Sequence, residues 1–568
     1  MRKRLDLALL LGKFLLVVMA IESLIIIPAF KQLTGWLLQS RGIVSLSSGD
    51  IAKFLFSLQS LGLIILTFFL LTLFVCFDIH AMILLARSYY LEETLPRIRD
   101  LLWETCKTLP KLFNWRGVVL ALFIGVVVPL SGIGLTMSLT ENIIIPRFIF
   151  EVIEQRILFF ALYLSVIIFF NVLIIRYIFS FHFLLIAQMP LKNATKSAKK
   201  LLVNNLKNFL LNFFSRLLIS TLIVLFGLTT VSVVVFLGID HWHLSRFGKL
   251  FLLLHIAEII LLVANLFLPW VCFFVTKLYC RYQGLALAKN YQPKQRLAPV
   301  ISVIILAVII FNLGVAFISD QLFNDLFYTN YNIQLIAHRG AGNLGAENGL
   351  ESLSLLRKHH VTATEVDIQR TKDGEYALNH DITLKRVFNV SKTVQDLTLG
   401  ELQKLGVTSL DDLLKESAGI HLYLELKGKT ADKQMADDVV AKLKERNMLK
   451  QATIISLDYE LINYVETTYP EIETGYLFFF SLGKIEDLNC DCLLMETGML
   501  SDSLIDRIHN KGKKVFVWTV NQAHDMSTVI KKPIDGVITD QVQLLQQEFQ
   551  KRDMRDETQL IIDALLDT

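Results

Sequence analysis

Long runs of apolar residues fill the N-terminal part of this 568-residue chain. A helix needs about 20 apolar residues to cross the hydrocarbon core of a bilayer. Runs of that length predict about seven spans, near residues 7–30, 54–77, 117–139, 157–187, 209–238, 250–276 and 298–319. The fourth and fifth are long enough to tilt or to contain a break. Residues 1–325 are therefore predicted to form an all-α polytopic membrane domain.

The distribution of charge supports this division and predicts an orientation. Lys and Arg outnumber Asp and Glu in the apolar part, whereas Asp and Glu outnumber Lys and Arg in the part that follows. Within the apolar part, the N-terminus and the second, fourth and sixth loops are richer in Lys and Arg than the loops between them. Such basic loops face the cytoplasm. The sequence thus predicts a multi-pass protein of the cell membrane, with a cytoplasmic N-terminus and an extracellular C-terminal domain.

Two features of the membrane part leave alternatives open. Leucines recur at helical spacing between Arg87 and Trp115, which fits either an amphipathic helix in the headgroup region or a helix packed on the bundle. Charged or titratable residues also lie in or near the spans. Because such residues are costly in a membrane, they raise the alternative of a transport or lipid-handling protein whose C-terminal domain is a regulatory or binding module. His255 and Glu258, three residues apart, are predicted to share one side of a helix; the others are Glu22, Arg176 and His182.

After residue 332, short runs rich in β-branched residues alternate with amphipathic helical stretches. The runs are Gln334–Ala337, Thr364–Ile368, Leu422–Leu426, Thr453–Leu457, Thr474–Phe478, Cys492–Met495, Lys514–Val520 and Gly536–Thr539. Eight such runs fit an α/β TIM (β/α)₈ barrel in number and length. An open doubly wound sheet would bring a glycine-rich loop after its first strand, but this strand ends in Ala-His-Arg-Gly. The barrel is predicted over residues 333–545, with a helical tail over 546–568.

Polar residues cluster where the predicted strands end, which is where barrel enzymes place their chemistry. Glu365 and Asp367 are separated by one residue and therefore point to the same face of a strand. With Glu425 they make an oxygen-rich group suited to Ca²⁺ or Mg²⁺ and not to zinc. His338 and His380 can act as acid and base near neutral pH. Cationic residues beside them, Arg339 and Lys427, can hold phosphate oxygens.

These residues stand in motifs that resemble the glycerophosphodiester phosphodiesterase family. The motifs are Ile336-Ala-His-Arg-Gly, Glu347-Asn348, Glu365-Val-Asp-Ile, Thr371-Lys-Asp-Gly, His380-Asp381, Glu425-Leu-Lys427, Trp518-Thr-Val-Asn521 and Ile538-Thr-Asp540. The basic apolar part before them resembles the membrane domain that is fused to this enzyme in some Gram-positive bacteria.

The resemblance implies a role for each residue. Glu365, Asp367 and Glu425 would bind the divalent metal, and His338 and His380 would form the acid–base pair. Four further residues would contact substrate or stand in the first-loop motif, namely Arg339, Glu347, Lys427 and Trp518; for Trp518, packing at the barrel rim is an equal alternative.

The reaction implied is hydrolysis of a glycerophosphodiester to glycerol phosphate and an alcohol at the membrane. The substrate could be a soluble glycerophosphodiester, a phospholipid headgroup or a glycerol-phosphate polymer, all of which present the same diester. The attacking group could be water or the glycerol hydroxyl of the substrate. The lipid bilayer is a predicted partner, and nucleic acid is not.

Overall fold

The computed structural model describes residues 2–39, 45–47, 58–112, 153, 156–241, 243–288, 298–327 and 331–566. Up to residue 327 the described chain is almost entirely helical. Its α-helices are α1 (Arg2–Ile21), α2 (Ile27–Gln39), α3 (Leu58–Leu91), α4 (Ile98–Thr108), α5 (Ile157–Tyr177), α6 (Ser180–Leu185), α7 (Leu191–Asn204), α8 (Leu206–His241), α9 (Arg246–Asn265), α10 (Phe267–Tyr282), α11 (Ala298–Gln321) and α12 (Phe323–Phe327).

Five segments of the described residues are long and apolar enough to cross a membrane. They are Lys3–Ala29, Leu73–Leu91, Ile157–Leu185, Leu206–Val235 and Arg246–Tyr282; the described apolar segment Ile305–Gln321 is shorter. These segments confirm a multi-helix membrane domain. The predicted span near 117–139 lies outside the described residues.

The two longest predicted spans, the fourth and the fifth, differ in whether the helix is broken. The fourth predicted span does contain a break, since α5 ends before Ile178 and α6 begins at Ser180. The fifth has none, because α8 is one helix of 36 residues. Side chains along α5 and α8 are largely exposed and apolar, for example Ile157, Ile223 and Phe226. Such faces suit a hydrocarbon surrounding, where an apolar surface carries no penalty.

A compact core lies around the second half of α3. This helix has 34 residues, a length of roughly 50 Å at 1.5 Å per residue, so it extends beyond a hydrocarbon core about 30 Å thick. Its C-terminal half packs with α1, α6, α7 and α10 through fully buried side chains such as Leu85, Phe179 and Tyr279.

The predicted amphipathic segment packs on this core. It forms α4 and a short 3₁₀ turn, Leu109–Leu112, which together are shorter than the 87–115 pattern. Leu101 is 1% exposed, and the neighbouring leucines Leu102 and Leu109 pack against the same cluster. Of the two alternatives, the structure therefore supports the helix packed on the bundle.

One intramembrane polar contact was predicted in part. His255 and Glu258 do lie on one side of α9, and Asn312 of α11 lies between them. The Asn312 amide nitrogen is 3.3 Å from His255 Nε2 and donates to Glu258 Oε2 at 2.9 Å. Asn312 itself is buried. The two helices are therefore joined by hydrogen bonds within an apolar region.

The C-terminal part is a closed barrel of eight parallel strands. They are β1 (Gln334–Ala337), β2 (Ala363–Arg370), β3 (His421–Leu426), β4 (Ala452–Ser456), β5 (Glu473–Phe478), β6 (Cys492–Glu496), β7 (Lys514–Trp518) and β8 (Gly536–Thr539). Neighbouring strands pair in chain order, and β1 closes the barrel by pairing with both β8 and β2. All eight predicted runs are strands, and the barrel is confirmed over the open sheet.

The helices of the barrel part surround the strands. They are α13 (Ser352–Lys358), α14 (Lys385–Phe388), α15 (Leu399–Lys404), α16 (Leu410–Glu416), α17 (Lys433–Glu445), α18 (Tyr459–Thr468), α19 (Asp502–His509), α20 (Ala523–Val529), α21 (Val542–Asp553) and α22 (Glu557–Leu566). The predicted boundary between barrel and tail, at residues 545 and 546, falls inside α21.

Alternation along the strands fills two separate layers. In β3, Leu422 and Leu424 pack outward against the helices, whereas Tyr423 lies in the barrel interior with Phe516 of β7. The Tyr423 and Phe516 ring centroids are 5.4 Å apart. Gly475 of β5 makes room in this interior, because an added Cβ would lie 2.9 Å from Ile455 Cγ2 and closer still to Leu494. The interior is thus packed, and polar groups are left to its ends.

A hairpin extends β2 beyond the barrel wall. Strand Tyr376–Leu378 pairs antiparallel with the end of β2 through the predicted Asp373-Gly374 turn, where Gly374 has a φ of +85°. This conformation favours glycine. The hairpin returns the chain to the C-terminal end of the barrel, directly before His380.

The last helix, α22, packs back on the membrane helices. Ile561 is fully buried in a cluster with Leu250 and Leu253 of α9 and Ala316 of α11. Arg246 at the start of α9 pairs with Asp320 at 2.6 Å and lies 3.8 Å from Glu557 of α22. The barrel part is therefore joined to the helical part at its C-terminal end as well as through the chain after α12.

We expect Ile561→Asp to release α22, because burying a carboxylate without a partner is costly. In detergent-solubilised full-length protein, amide hydrogen exchange over residues 557–566 should accelerate. Met554→Asp is the matched control, since Met554 is 80% exposed. Equal exchange in the two variants would contradict the packing of α22.

Candidate active site

The register of two neighbouring strands brings three carboxylates together. Glu365 and Asp367 stand two residues apart on β2, so both point into the barrel. Asp367 pairs directly with Glu425 of β3 in the parallel ladder. Oxygen atoms of the three side chains lie within 4.8 Å of one another. All three predicted metal ligands therefore form one group at the C-terminal end of the barrel.

The three carboxylates of this group are buried, and their pKa values are strongly shifted. Asp367 is fully buried, and Glu365 and Glu425 are nearly so. Burial, reinforced by the negative charge of Asp367, raises the pKa of Glu365 to about 8. Burial also opposes ionisation of Asp367, but positive charge led by Lys427 outweighs it and holds the pKa of Asp367 below its usual value. Closely packed carboxylates resist ionising together unless a cation compensates for them.

The donor set fits a hard divalent cation. Glu365 Oε1 is buried and has no hydrogen-bond partner among the described residues, although its other oxygen accepts from the Arg339 backbone N–H at 2.9 Å. Ca²⁺ and Mg²⁺ take carboxylate oxygens as ligands, and Glu365 Oε1 is available to such an ion. Asn348 positions a second ligand, since its amide donates to Asp367 Oδ2 at 3.0 Å. Glu365, Asp367 and Glu425 could thus hold such an ion.

His338 follows β1 and lies beside the carboxylate group. Its Nε2 is 3.8 Å from Glu365 Oε2, and its Nδ1 is 2.8 Å from Asp540 Oδ1. Asn521 donates to the other Asp540 oxygen at 2.7 Å. Burial disfavours the imidazolium, but the Asp540 hydrogen bond and Glu365 outweigh it, so the pKa of His338 is raised.

His380 follows the hairpin strand and has a different environment. Its Nδ1 is 2.9 Å from Asp381 Oδ1. Burial lowers the pKa of His380 to about 4 despite the attraction of Asp367. The two histidines therefore have pKa values shifted in opposite directions. Groups whose surroundings separate their pKa values in this way are suited to act as an acid and a base.

Two further predicted residues, Lys427 and Trp518, lie at the same rim. Lys427 Nζ donates to Asp367 at 2.9 Å and to Glu425 at 3.0 Å. The Trp518 indole donates to the Leu494 carbonyl at 2.9 Å, and its ring packs against the interior layer, which is the rim packing that the sequence allowed.

Glu347 lies apart from the carboxylate group. Its oxygens accept from Arg339 and from Arg386, and it is not a member of the three-carboxylate group that could hold a metal. Glu347 therefore contacts two arginines of the rim, Arg339 and Arg386.

Sequence reasoning assigned no role to four partners at this rim. Asp540 follows β8, and the closed barrel brings that end beside His338, so its position could have been foreseen. Asp381 and Asn348 stood in motifs without an assigned contact. Arg386 lies in α14, off the strand ends, and no spacing rule singled it out.

A glycine shapes the loop that carries His338. Gly342 has a φ of +57°, and an added Cβ would collide with the Asp540 carbonyl. The close approach of this loop to Asp540 therefore requires glycine here.

Comparison with known proteins covers both parts of the chain. The family described as "Glycerophosphoryl diester phosphodiesterase family" matches residues 338–544. The family described as "Membrane domain of glycerophosphoryl diester phosphodiesterase" matches residues 7–318.

Two curated relatives resemble the barrel part. A glycerophosphodiester phosphodiesterase of Caldanaerobacter subterraneus is 27% identical over 234 residues, 37% of this chain and 95% of the relative. A human lysophospholipase D is 25% identical over 263 residues, 37% of this chain and 83% of the relative.

Solved structures resemble the same part. One is a phosphodiesterase of Oleispira antarctica in complex with the product sn-glycerol-3-phosphate, at 23% identity and a TM-score of 0.36, covering 38% of this chain and 96% of that one. Another is a glycerophosphodiester phosphodiesterase of Thermotoga maritima, at 24% identity and a TM-score of 0.34, covering 39% and 99%.

We expect Asn348→Ala to weaken divalent-metal binding by about 10- to 100-fold, the usual effect of losing a group that orients a ligand. Isothermal titration calorimetry with Ca²⁺ and with Mg²⁺ measures this directly. Asn343→Ala is the matched control. Asn343 lies in the same loop as Asn348, but its amide donates to Gln541 at an exposed position. Equal affinities in both variants would show that Asn348 does not orient Asp367.

Proposed function

Because this chain belongs to the glycerophosphoryl diester phosphodiesterase family and is a phosphoric diester hydrolase with a membrane domain, we propose that His338 and His380 catalyse metal-dependent hydrolysis of a glycerophosphodiester at the membrane. The products are glycerol phosphate and an alcohol. One observation carries this proposal: each histidine has its Nδ1 paired with a carboxylate, beside a group of three further carboxylates.

The pairing of Nδ1 determines which nitrogen can act. A carboxylate that accepts from Nδ1–H fixes the tautomer and leaves Nε2 to exchange a proton. One histidine would take the proton of the attacking hydroxyl while the other gives a proton to the leaving oxygen. The same pair serves attack by water and attack by the glycerol hydroxyl of the substrate through a cyclic phosphate.

The other rim residues would bind the diester. A divalent cation held by Glu365, Asp367 and Glu425 would neutralise the phosphate charge and polarise the P–O bond. Lys427 and Arg339 are positioned to hold non-bridging oxygens as charge develops. Arg339 donates one of its five guanidinium N–H groups to Glu347. Its Nε lies 3.9 Å from Asp367 Oδ2 and has no hydrogen-bond partner among the described residues, so N–H groups remain for such a contact.

Loop contacts support an extracellular barrel. The N-terminus touches the segment after α3, since Lys3 Nζ donates to the Glu92 carbonyl at 3.0 Å. Near this place the chain after α10 meets α3, through Ala288 N and the Tyr90 carbonyl. These are the basic, cytoplasmic segments by the charge rule. By contrast, strand Ser45–Ser47 of the first loop pairs with Ser481–Gly483 of the barrel.

A substrate held in the membrane fits this arrangement best. Ser481–Gly483 follows β5 at the C-terminal end of the barrel, the end that carries the carboxylates, so a segment of the membrane domain reaches the mouth of the site. Ile382, two residues after His380, is 78% exposed at the same rim. A phospholipid headgroup or a membrane-anchored glycerol-phosphate polymer is therefore the proposed substrate class.

We expect His338→Ala and His380→Ala each to lower kcat by roughly 10²- to 10⁴-fold, the usual contribution of an acid–base group. Release of glycerol phosphate by the full-length protein in membranes is the measurement, with a soluble diester, a phospholipid and a glycerol-phosphate polymer offered separately. EDTA should abolish turnover, and added Ca²⁺ or Mg²⁺ should restore it. Undiminished turnover in EDTA would refute the metal assignment, and near-normal turnover in either variant would refute the role of that histidine.

We also expect a cysteine on the barrel surface to be labelled from outside the cell. Glu445, whose side chain is 75% exposed, is suitable for Glu445→Cys in a background without the six native cysteines. A membrane-impermeant maleimide should label it in intact cells. Labelling that requires lysis would place the barrel in the cytoplasm.

A further inference from the structure

Arg386 joins two segments of the barrel rim. Its Nε donates to Asp381 Oδ2 at 2.6 Å, and its two terminal nitrogens donate to the Glu347 oxygens at 2.6 and 2.7 Å. A fourth bond, at 3.2 Å, reaches the other Asp381 oxygen. The planar guanidinium therefore binds two carboxylates at once, each through two bonds, a geometry that lysine cannot reproduce.

Each of these carboxylates holds a second group that faces the site. Asp381 Oδ1 is paired with His380 Nδ1 at 2.9 Å. Glu347 Oε1 accepts from Arg339 at 3.2 Å. Arg386 is thus linked through Asp381 to His380, a proposed proton carrier. Through Glu347 it is linked to Arg339, a proposed phosphate contact.

His338 also pairs with an aspartate, but that aspartate is held by an amide and not by an arginine. Asp540, the partner of His338, follows β8 directly and is held by Asn521 at 2.7 Å. Asp381 follows the short hairpin and lies in irregular chain before α14. Its carbonyl is bound by Gln369 and Asn379, which fixes its backbone. Its side chain takes its orientation from Arg386.

We propose that Arg386 is a positioning residue for phosphodiester hydrolysis, which orients Asp381 and through it the imidazole of His380, and which ties this loop to Glu347 in the first loop. The inference rests on the proposed function of His380. A role as a direct phosphate contact is disfavoured, because four of the five guanidinium N–H groups already bind carboxylates.

The test compares steady-state kinetics of full-length variants in membranes. Arg386→Ala should lower kcat by about 10- to 100-fold, the scale that loss of alignment costs, with a smaller change in KM. Guanidinium ion added at millimolar concentration should restore part of kcat, since the side chain is half-exposed and its site stays open to solvent. Arg386→Lys should remain impaired, because an ammonium group cannot bind both carboxylates in the bidentate manner.

Two controls separate this effect from general damage. Arg446→Ala removes another arginine–aspartate pair, with Asp411 at 2.6 Å, between outer helices of the barrel, and should leave kcat unchanged. Asp381→Asn combined with Arg386→Ala should be no worse than the poorer single variant, because residues that act through one another are not additive.

Three outcomes would overturn the inference. They are a kcat for Arg386→Ala equal to that of Arg446→Ala, a rise in KM alone, or full activity of Arg386→Lys. If His380→Ala retains normal turnover, the proposed function of His380 fails; if His380→Ala loses turnover while Arg386→Ala does not, only the role of Arg386 fails.

Discussion

Mutual repulsion among Glu365, Asp367 and Glu425 is the constraint around which the rim of the barrel is arranged. Their oxygens lie within 4.8 Å of one another, out of reach of bulk water. The closed strand register holds them there, and Lys427 bonds two of the three. A buried group of like charges is costly unless cations compensate for it. The same cost would favour binding of a divalent cation, because an ion held by the three carboxylates would relieve the repulsion.

The surroundings of the two histidines shift their pKa values in opposite directions. His338 lies 3.8 Å from Glu365 and is paired with Asp540, so negative charge raises its pKa. His380 pairs with Asp381, but that carboxylate is also bound by Arg386, and burial lowers the pKa of His380. Around His380, the positive charges of Lys427 and Arg339 also oppose protonation, whereas Glu365 favours it at His338. Burial and neighbouring charge thus make two similar His–Asp pairs unequal.

Much of this could be predicted from the sequence, and the failures have identifiable causes. Strands β1 to β8 were predictable because each is a short apolar run between helical stretches, and the i and i+2 spacing of Glu365 and Asp367 fixes their common face. The contact between His338 and Asp540, 202 positions apart, needs the barrel to be closed. The segment around Leu101 carried a helical pattern, but the same pattern fits a lipid surface and a protein surface. Only its packing against α3 distinguishes the two.

Within the described part of the chain, the barrel is attached to the membrane domain at three places: the chain after α12, helix α22 through Ile561, and the strand pair between Ser45–Ser47 and Ser481–Gly483. The first leads into β1 at its N-terminal end, opposite the mouth of the site, and the third is at the mouth. A single tether would be enough to keep an enzyme for soluble substrates near the cell. Several attachments limit rotation of the barrel, and this benefits a reaction only if the substrate also has a limited orientation. A diester at the membrane surface meets that condition, because its phosphate presents itself at a defined height above the bilayer, whereas a free metabolite reaches the mouth equally well from any direction.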